Sequence, residues 1–338
     1  MPTITRARSV AGVALAAVAA LTLAACGGQQ TQQQPATSGD AGAEGSCTAP
    51  AAQLTIATGN STGVYYVLGG GIAEVLNANT DLRVTAAETG ASVQNIEQLV
   101  NGDYQIAFSL ADTAYDAAVG TGSFTQPQPV EALGVIHSNF TQVIARADAG
   151  IEEIADLEGA TVSTGSPGSG TEVIALRLLE AAGLEPDVDV TTQRLDLATS
   201  VDGLRNGTLD AIVWSGGLPT PNLTDLFTTD ADAVSFVDIL PELPALQEIN
   251  PLYEEGVIPA DTYGLDEDVP TIVVPNVLLV RDDMDEATQC AITTAIWSNV
   301  EQLETVHPAA AALDPVRAQE TGDIPLAPGA EQALSDLE

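Results

Sequence analysis

Lysine is absent from this sequence of 338 residues, and arginine is scarce. Nine arginines stand against 47 aspartates and glutamates, which gives a formal net charge of −38 at pH 7. Such a chain has nothing with which to neutralise phosphates, so nucleic acid is excluded as a partner. A nucleotide-binding P-loop is excluded too, because it needs a lysine before its last serine or threonine. An acidic ligand would be repelled at long range unless salt screened the field and local dipoles overcame it.

Histidine and cysteine, the commonest catalytic and metal-binding side chains, are also rare. His137 and His307 are the two histidines, and they lie far apart in the sequence. No Cys-His or His-x-x-x-His cluster accompanies them, so the sequence predicts no nucleophile, no metal site and no cofactor. Each histidine is interpreted as structural. We therefore expect a protein that is not an enzyme.

The first 25 residues have the pattern of an export signal. Arg6 and Arg8 precede an apolar run at 10–23, which ends in small residues before Cys26. The run is shorter than the roughly 20 residues that span a bilayer, which favours cleavage over the alternative of an uncleaved membrane anchor. "LAAC" followed by "GG" is similar to a bacterial lipoprotein signal, in which Cys26 becomes the lipidated first residue. The expected location is the extracytoplasmic face of the cell membrane, with a lipid anchor.

A short polar segment separates this signal from the folded region. Residues 26–46 consist mainly of Gly, Gln, Ser and Ala, and they have too little apolar surface to fold. They are predicted to be a disordered tether. Cys47 and Cys290 then remain, near the two ends of the folded region, and the oxidising compartment permits a disulfide between them. Two unpaired cysteines are the alternative.

From Leu54 onward, short β-branched runs alternate with helical stretches. Three strand–helix units come first and predict a mostly parallel sheet covered by helices on both faces. Two strands at 130–137 and 141–148, separated by a short polar joint, are interpreted as a crossing to another lobe. A second α/β series follows.

The chain is then expected to return to its first lobe. A strand pair, "TIVVP" and "NVLLVRDD", precedes a long helix predicted over about 285–305. The fold class is therefore α/β with two lobes and a cleft between them. Lobe 1 is predicted to comprise 47–139 and about 276–338, and lobe 2 to comprise 140–275.

Four glycine-rich loops follow strands, at the edge where open α/β sheets bind ligands. Glycines let the backbone approach a bound group closely, and hydroxyls donate or accept hydrogen bonds. Any one such loop is more often a capped turn, but two in each lobe favour a shared cleft for a small polar or anionic molecule. The candidate ligand-binding residues are Gly59, Asn60, Gly63, Tyr65, Tyr66, Gly90, Ser92, Asn95, Gly168, Ser169, Gly170, Thr171, Trp214, Ser215 and Gly217.

The third of these loops, "STGSPGSGTE" at 163–172, is predicted to hold a ligand carboxylate at the start of a helix. Backbone N–H groups, the helix dipole and the hydroxyls of Ser169 and Thr171 would supply the attraction without a lysine. Arg177, two turns into that helix, is expected at the surface.

Several motifs resemble the TAXI-type solute-binding proteins of TRAP (tripartite ATP-independent periplasmic) transporters. They are "IATGNSTGVYY", "TGASVQNIEQLVNGDYQIAFSLAD", "IEEIADLEGATVSTGSPGSGTE", "LRNGTLDAIVWSGGLPTP" and "IPLAPGA", and their order covers the chain from Leu54 to its end. The chain departs from that family's pattern at Ala327, where histidine is frequent, and at Trp214, where a smaller or Phe-like residue is usual. Trp214 would either stack on the ligand from the cleft or be a core indole.

This resemblance implies a type II-like periplasmic-binding-protein fold whose lobes close on a small organic acid or amino acid. Glutamate-like and dicarboxylate-like ligands are implied, with delivery to a TRAP membrane permease driven by an ion gradient. A binding protein of the same fold that serves an ABC permease or a sensor kinase is the alternative. An extracytoplasmic enzyme on this fold is a more distant one, because the sequence offers no evident nucleophile or base.

Overall fold

A single mixed sheet organises the protein. The structure is a computed structural model that describes residues 47–338. The predicted signal peptide, Cys26 and the tether at 26–46 lie outside the described residues. Ten strands form the sheet, in the order β2-β1-β3-β10-β4-β7-β5-β6, with β8 beside β4 and β9 beside β10. The strands are β1 Gln53–Ala57, β2 Arg83–Ala87, β3 Ile106–Leu110, β4 Val130–Arg146, β5 Thr161–Ser163, β6 Thr191–Gln193, β7 Ala211–Gly216, β8 Val234–Phe236, β9 Glu254–Ile258 and β10 Val269–Arg281.

Helices cover both faces of the sheet, joined in places by short 3-10 turns. The helices are α1 Val64–Asn79, α2 Ser92–Asn101, α3 Ala111–Val119, α4 Gly170–Ala181, α5 Leu197–Asn206, α6 Pro221–Thr229, α7 Leu243–Ile249, α8 Glu286–Trp297, α9 Val300–Val306, α10 Pro315–Ala318 and α11 Pro328–Leu337. The 3-10 turns are Ile154–Leu157, Ala231–Ala233, Leu240–Glu242, Ala260–Thr262 and Pro308–Ala312.

Two long antiparallel strands, β4 and β10, connect the two ends of the sheet. The first strand–helix series joins β10 through β3, which pairs with residues 276–279. The second series joins β4 through β7, which pairs with residues 140–145. On either side of this centre the ladders β1–β2, β1–β3, β5–β6 and β5–β7 are parallel. The long strands therefore belong to both lobes.

The prediction that each crossing consists of two separate strands is wrong. Residues 130–137 and 141–148 were expected as a pair, yet β4 continues through the polar joint, because Ser138 pairs with Pro275 in the ladder. The Asn139 side chain inside that joint is hydrogen-bonded and 4% exposed, so the polar residues do not form a loop. The segments "TIVVP" and "NVLLVRDD" likewise merge into β10.

The helix predicted over 285–305 is also wrong in extent, because it divides into α8 and α9. Asn299 stands between the two helices, and its Nδ2 donates to the carbonyl oxygen of Ala295 at 2.7 Å. A side-chain amide that occupies a backbone acceptor offers the chain an alternative to continuing the helix.

Apolar side chains form separate clusters on the two faces of each lobe. In the first lobe, Ile56 and Phe108 join the cluster under α1 and α8, whereas Ala57 and Ala107 join the one under α2 and α3. In the second lobe, Val213 and Ile212 divide in the same way. This alternation is the period of two expected for strands covered on both faces.

The C-terminal helices complete the first lobe. Trp297 of α8 and Leu334 of α11 share an apolar cluster with Leu68 and Ile72 of α1. A disulfide between Cys47 and Cys290, whose Cα atoms are 5.0 Å apart, attaches the start of the described chain to α8.

A buried ion cluster joins α3 of the first lobe to α4 of the second. Arg177 Nη1 lies 3.1 Å from Asp112 Oδ2, and Nη2 lies 2.5 Å from Asp116 Oδ2. The same Nη1 donates to the Tyr253 hydroxyl oxygen at 3.0 Å, and that hydroxyl donates to Asp112. The expectation that Arg177 lies at the surface is wrong, since it is 8% exposed. Two buried carboxylates require a counter-charge, and Arg177 supplies it. The position of Arg177 within its helix does not by itself show that carboxylates of α3 lie beside it.

Replacing Arg177 with methionine should lower the free energy of unfolding at pH 7 by about 3–5 kcal/mol, because two buried carboxylates lose their counter-charge. Burial raises the pKa of Asp112, and Arg177 opposes that rise. In the variant the rise should be larger. A carboxyl whose pKa is higher in the folded state takes up a proton on folding, so stability increases as pH falls through that window. Urea unfolding at pH 7 and pH 5 measures both effects.

The matched control is Arg205→Met, because Arg205 contacts Asp225 and Asp230 at the surface and its side chain is 32% exposed. Exposed ion pairs contribute only about 0–1 kcal/mol. Equal losses in the two variants, or a loss at Arg177 that does not shrink on acidification, would contradict this account of the cluster.

Candidate functional site

The four predicted loops meet around one cavity between the lobes. The atoms around it leave a space of about 460 Å³, of which about 40 Å³ can be reached by the centre of a water molecule. Twelve of the fifteen candidate residues line it. The lining residues are Gly59, Asn60, Gly63, Val64, Tyr65, Gly90, Ala91, Ser92, Leu110, Asn139, Ser166, Ser169, Gly170, Thr171, Trp214, Ser215, Gly216 and Gly217.

The first loop brings the start of α1 to the cavity. Gly63 occupies the N-cap position without a capping side chain, and its N–H donates to the Asn60 carbonyl oxygen at 2.9 Å. A Cβ atom at Gly63 would lie 3.3 Å from that oxygen and 3.7 Å from the Trp214 ring. Glycine therefore allows the loop to approach the opposite lobe closely.

The second loop brings the start of α2 to the same place. Ala91 has φ 79°, a left-handed conformation that alanine rarely adopts, and it also leaves the helix without a side-chain cap. The neighbouring Ser92 hydroxyl oxygen accepts a hydrogen bond from the Leu110 N–H at 3.0 Å. Unusual backbone conformations of this kind concentrate at binding sites.

The third loop, which belongs to the second lobe, begins α4. Ser169 is the N-cap, and its Oγ accepts from the Glu172 N–H at 3.0 Å. Thr171 Oγ1 accepts from the Ser215 N–H at 3.2 Å. In both bonds the hydroxyl is the acceptor, so each hydroxyl hydrogen remains available to a ligand.

The fourth loop supplies a ring and a free hydroxyl. Trp214 lines the cavity, and its Nε1 donates to Thr220 Oγ1 at 3.1 Å, which fixes the indole. Trp214 was expected either at the cleft or as a core indole, and it lies at the cleft. The Ser215 Oγ has no hydrogen-bond partner within the described part of the chain, although the residue is 5% exposed. A buried hydroxyl without a partner is costly, so this one is available to a ligand or water.

A hydrogen-bond network behind the cavity links it to both long strands. The Tyr65 hydroxyl donates to Asn276 Oδ1. Asn276 Nδ2 donates to Asn139 Oδ1 at 2.9 Å, and Asn139 Nδ2 donates to the Ser215 carbonyl oxygen at 3.1 Å. Burial raises the pKa of Tyr65, so its hydroxyl stays protonated. The network runs from α1 through the crossing strands to β7.

Three candidate residues do not line the cavity. Tyr66 is 37% exposed, because consecutive helical residues point about 100° apart and Tyr65 faces inward. Asn95 is buried, and its Nδ2 donates to the carbonyl oxygens of Thr58 at 2.6 Å and Phe108 at 2.8 Å, which is a structural role. Gly168 lies just outside and donates to Glu172 Oε2 at 2.7 Å.

Six lining residues were missed by the sequence reasoning: Val64, Ala91, Leu110, Asn139, Ser166 and Gly216. Five of them adjoin a glycine-rich loop or the strand that leads into a helix. Asn139 comes from the middle of β4, and its only signal in the sequence is the polar joint between the two predicted strands.

Neither histidine lines the cavity. Burial, with a smaller contribution from His307, lowers the pKa of His137 to about 3, so its ring is neutral. Its ring centroid lies 6.2 Å from that of Tyr65, behind the cavity wall. Residues 59–63 have the G-x-S-x-G spacing of a nucleophile elbow, but Ser61 is exposed and does not line the cavity. Within 47–338 no cluster of His, Cys, Asp or Glu could hold a metal ion.

The electrostatics of the cavity come from helix ends. The starts of α1, α2 and α4 all reach it, and their first N–H groups have no partners within the helix. Among the lining residues there is no charged side chain. The positive ends of three helix dipoles therefore define a site for a negative or strongly polar group.

No helix in the described part of the chain is long and apolar enough to cross a membrane.

Solved structures with this architecture include transport proteins. A binding protein component of an ABC phosphonate transporter from Pseudomonas aeruginosa is similar with a TM-score of 0.53 and 11% identity, over 78% of this chain and 80% of that one. The Xanthomonas citri protein XAC2383, bound to ATP, has a TM-score of 0.50 and 13% identity, over 84% of this chain and 95% of that one. The alkanesulfonate-binding protein SsuA from Xanthomonas axonopodis pv. citri, bound to MOPS, has a TM-score of 0.46 and 16% identity, over 85% of this chain and 84% of that one.

These likenesses concern the fold. The predicted α/β architecture, a two-lobed periplasmic-binding-protein fold of type II-like form, is confirmed. The sequence profile of the NMT1-like family matches residues 56–336, which covers all four loops and both long strands. The chain belongs to the NMT1-like family.

Proposed function

We propose that this protein is an extracytoplasmic solute-binding protein that captures a small organic acid or amino acid and delivers it to a membrane permease. The observation that carries this proposal is the cavity at which three helix starts and the unpartnered Ser215 hydroxyl converge. The fold shared with a phosphonate transporter component is consistent with it. A cavity without histidine or a charged side chain offers no acid, base or activated nucleophile, which favours binding over catalysis.

Closure of the lobes would enclose the ligand. We place lobe 1 at 47–139 with 276–338 and lobe 2 at 140–275, so the boundaries fall at Asn139 and Asn276 on the crossing strands. Ser166 Oγ donates across this division to Asn60 Oδ1 at 3.3 Å, and the Gln94 N–H donates to the Gly168 carbonyl oxygen at 3.0 Å. A ligand that touches both lobes stabilises this closed form relative to an open one, and the permease recognises the difference.

The carboxylate of the ligand would lie at the start of α4. There the Ser169 and Thr171 hydroxyl hydrogens, the Ser215 hydroxyl and the first N–H groups of the helix are available together. The helix dipole adds about 0.3–1 kcal/mol when exposed and more where water is excluded. These neutral groups let a protein with a net charge of −38 bind an anion.

The chain would act from the outer surface of the cell membrane. We propose that residues 1–25 are removed as a signal peptide, that Cys26 carries the lipid anchor, and that 26–46 form the tether. The tether would let the lobes reach a permease in the same membrane.

A TRAP permease is the partner that we propose, because the loop motifs resemble TAXI-type proteins in order and spacing. An ABC permease is the second candidate, and the fold likeness to an ABC phosphonate transporter component favours it. A sensor kinase is compatible with the same cavity.

Thr171→Val should weaken ligand binding at least tenfold, because it removes a hydroxyl that faces the cavity and replaces it with a methyl group. Thr171→Ser keeps the hydroxyl and should retain most of the affinity. Isothermal titration of residues 47–338 against a panel of small organic acids and amino acids measures the difference.

The control for folding is Thr228→Val, since Thr228 lies on the exposed side of α6 and its Oγ1 contacts only a backbone carbonyl. Unchanged affinity in Thr171→Val, with a thermal midpoint equal to that of the control, would exclude the α4 start as the carboxylate site.

The energy source of uptake distinguishes the two permeases. In cells that contain this protein and its permease, collapse of the ion gradients with ionophores should stop uptake of the bound solute while ATP is still present. Uptake that survives the ionophores and stops on ATP depletion would exclude the TRAP partner and leave the solute-binding role intact.

A further inference from the structure

The cavity wall has no charge of either sign, and this limits the chemistry of the ligand. All eighteen lining residues are neutral. An α-ammonium group would find no carboxylate there. A second carboxylate would find no arginine and, among the lining residues, no second buried hydroxyl without a partner to add to the starts of α1 and α2. An isolated charge that is taken out of water without a partner costs several kcal/mol. The lining therefore disfavours amino acids and dicarboxylates, the two ligand types that the family resemblance implied.

One side of the cavity is equipped for a single anion. The start of α4 and Thr171 line it, the Thr171 hydroxyl acts as an acceptor toward the Ser215 N–H and keeps its own hydrogen available, and the Ser215 Oγ is buried with no partner in the described residues. Gly170 makes this possible, because a Cβ atom there would lie 2.5 Å from Leu110 Cδ1 and 2.7 Å from Ser92 Oγ. The start of α4 and the buried Ser215 hydroxyl are independent features, and both indicate that a negatively charged oxygen group binds on this side of the cavity.

The remaining wall is largely apolar. Val64, Ala91 and Leu110 contribute hydrocarbon, and the indole of Trp214, whose Nε1 donates to Thr220, lies close to Gly63. A sulfate or phosphate ion would leave these surfaces without a partner, whereas a short carbon chain would cover them. The ligand should therefore carry an apolar body on its anionic group.

The size of the cavity sets the length of that body. The volume open to water centres is about 40 Å³. One water needs roughly 10–15 Å³ on this measure, so the cavity has room for about three waters. Resting on the proposed function, we propose that the ligand is a short-chain monocarboxylate of about two to five carbons, carboxylate toward α4 and chain toward Trp214.

The test compares short ligands of similar length and different charge. Isothermal titration of residues 47–338, unfolded and refolded to release any retained ligand, would use propionate, butyrate, pyruvate, succinate, succinate monomethyl ester and glutamate. We expect at least one monoanion to bind, and the monomethyl ester to bind at least tenfold more tightly than succinate. Tighter binding of succinate or glutamate than of every monoanion would overturn the monocarboxylate assignment and leave the solute-binding function standing. No binding by any acid, in protein shown to be folded, would count against both.

A variant separates ligand contact from structural support. Ser215→Ala removes a hydroxyl that bonds to nothing else in the described chain, so the thermal midpoint should not fall. Affinity for the monocarboxylate should fall at least tenfold. Ser235→Ala, on the exposed face of β8, is the matched control and should change neither quantity. Unchanged affinity in Ser215→Ala would remove this hydroxyl from the carboxylate site and overturn the orientation.

Discussion

Backbone N–H groups at helix starts are the interaction on which the rest of this site depends. A helix leaves its first N–H groups without internal partners, and α1, α2 and α4 direct theirs at one small space. The chain has no lysine, and the arginines within 47–338 do not line this cavity, so these neutral dipoles are the source of positive potential among the described residues. They also act at short range, so they can hold an anion that the net charge repels at a distance.

The two crossing strands connect the cavity to both lobes. Asn139 and Asn276 lie at the centre of β4 and β10, and their side chains connect Tyr65 on one lobe to Ser215 on the other. Arg177 adds a second connection through Asp112. Removing these charged groups from water costs free energy. The cluster therefore stabilises the contact between α3 and α4 only when all of its ion pairs and hydrogen bonds are formed. The proposed closure of the lobes would therefore depend on contacts on both sides of the cavity.

Much of this was predictable from the sequence, for physical reasons. Glycine-rich segments after strands predicted the cavity because parallel strands deliver their loops to one edge, and twelve of fifteen candidates line it. Helical geometry separates Tyr65 from Tyr66, but which one faces inward depends on how α1 packs. Asn139 and Arg177 were misjudged because a polar residue inside a strand and an arginine inside a helix read as exposed. Asn139 bonds to Ser215 and Arg177 bonds to Asp112, and these partners, which are distant in the sequence, explain why both side chains are buried.

Small-angle X-ray scattering of residues 47–338, first without ligand and then saturated with the acid that binds most tightly, tests closure directly. The account predicts that the ligand reduces the radius of gyration, and that the Thr171→Val variant needs at least tenfold more ligand for the same change. An identical radius with and without bound ligand would contradict the claim that the lobes close around the cavity.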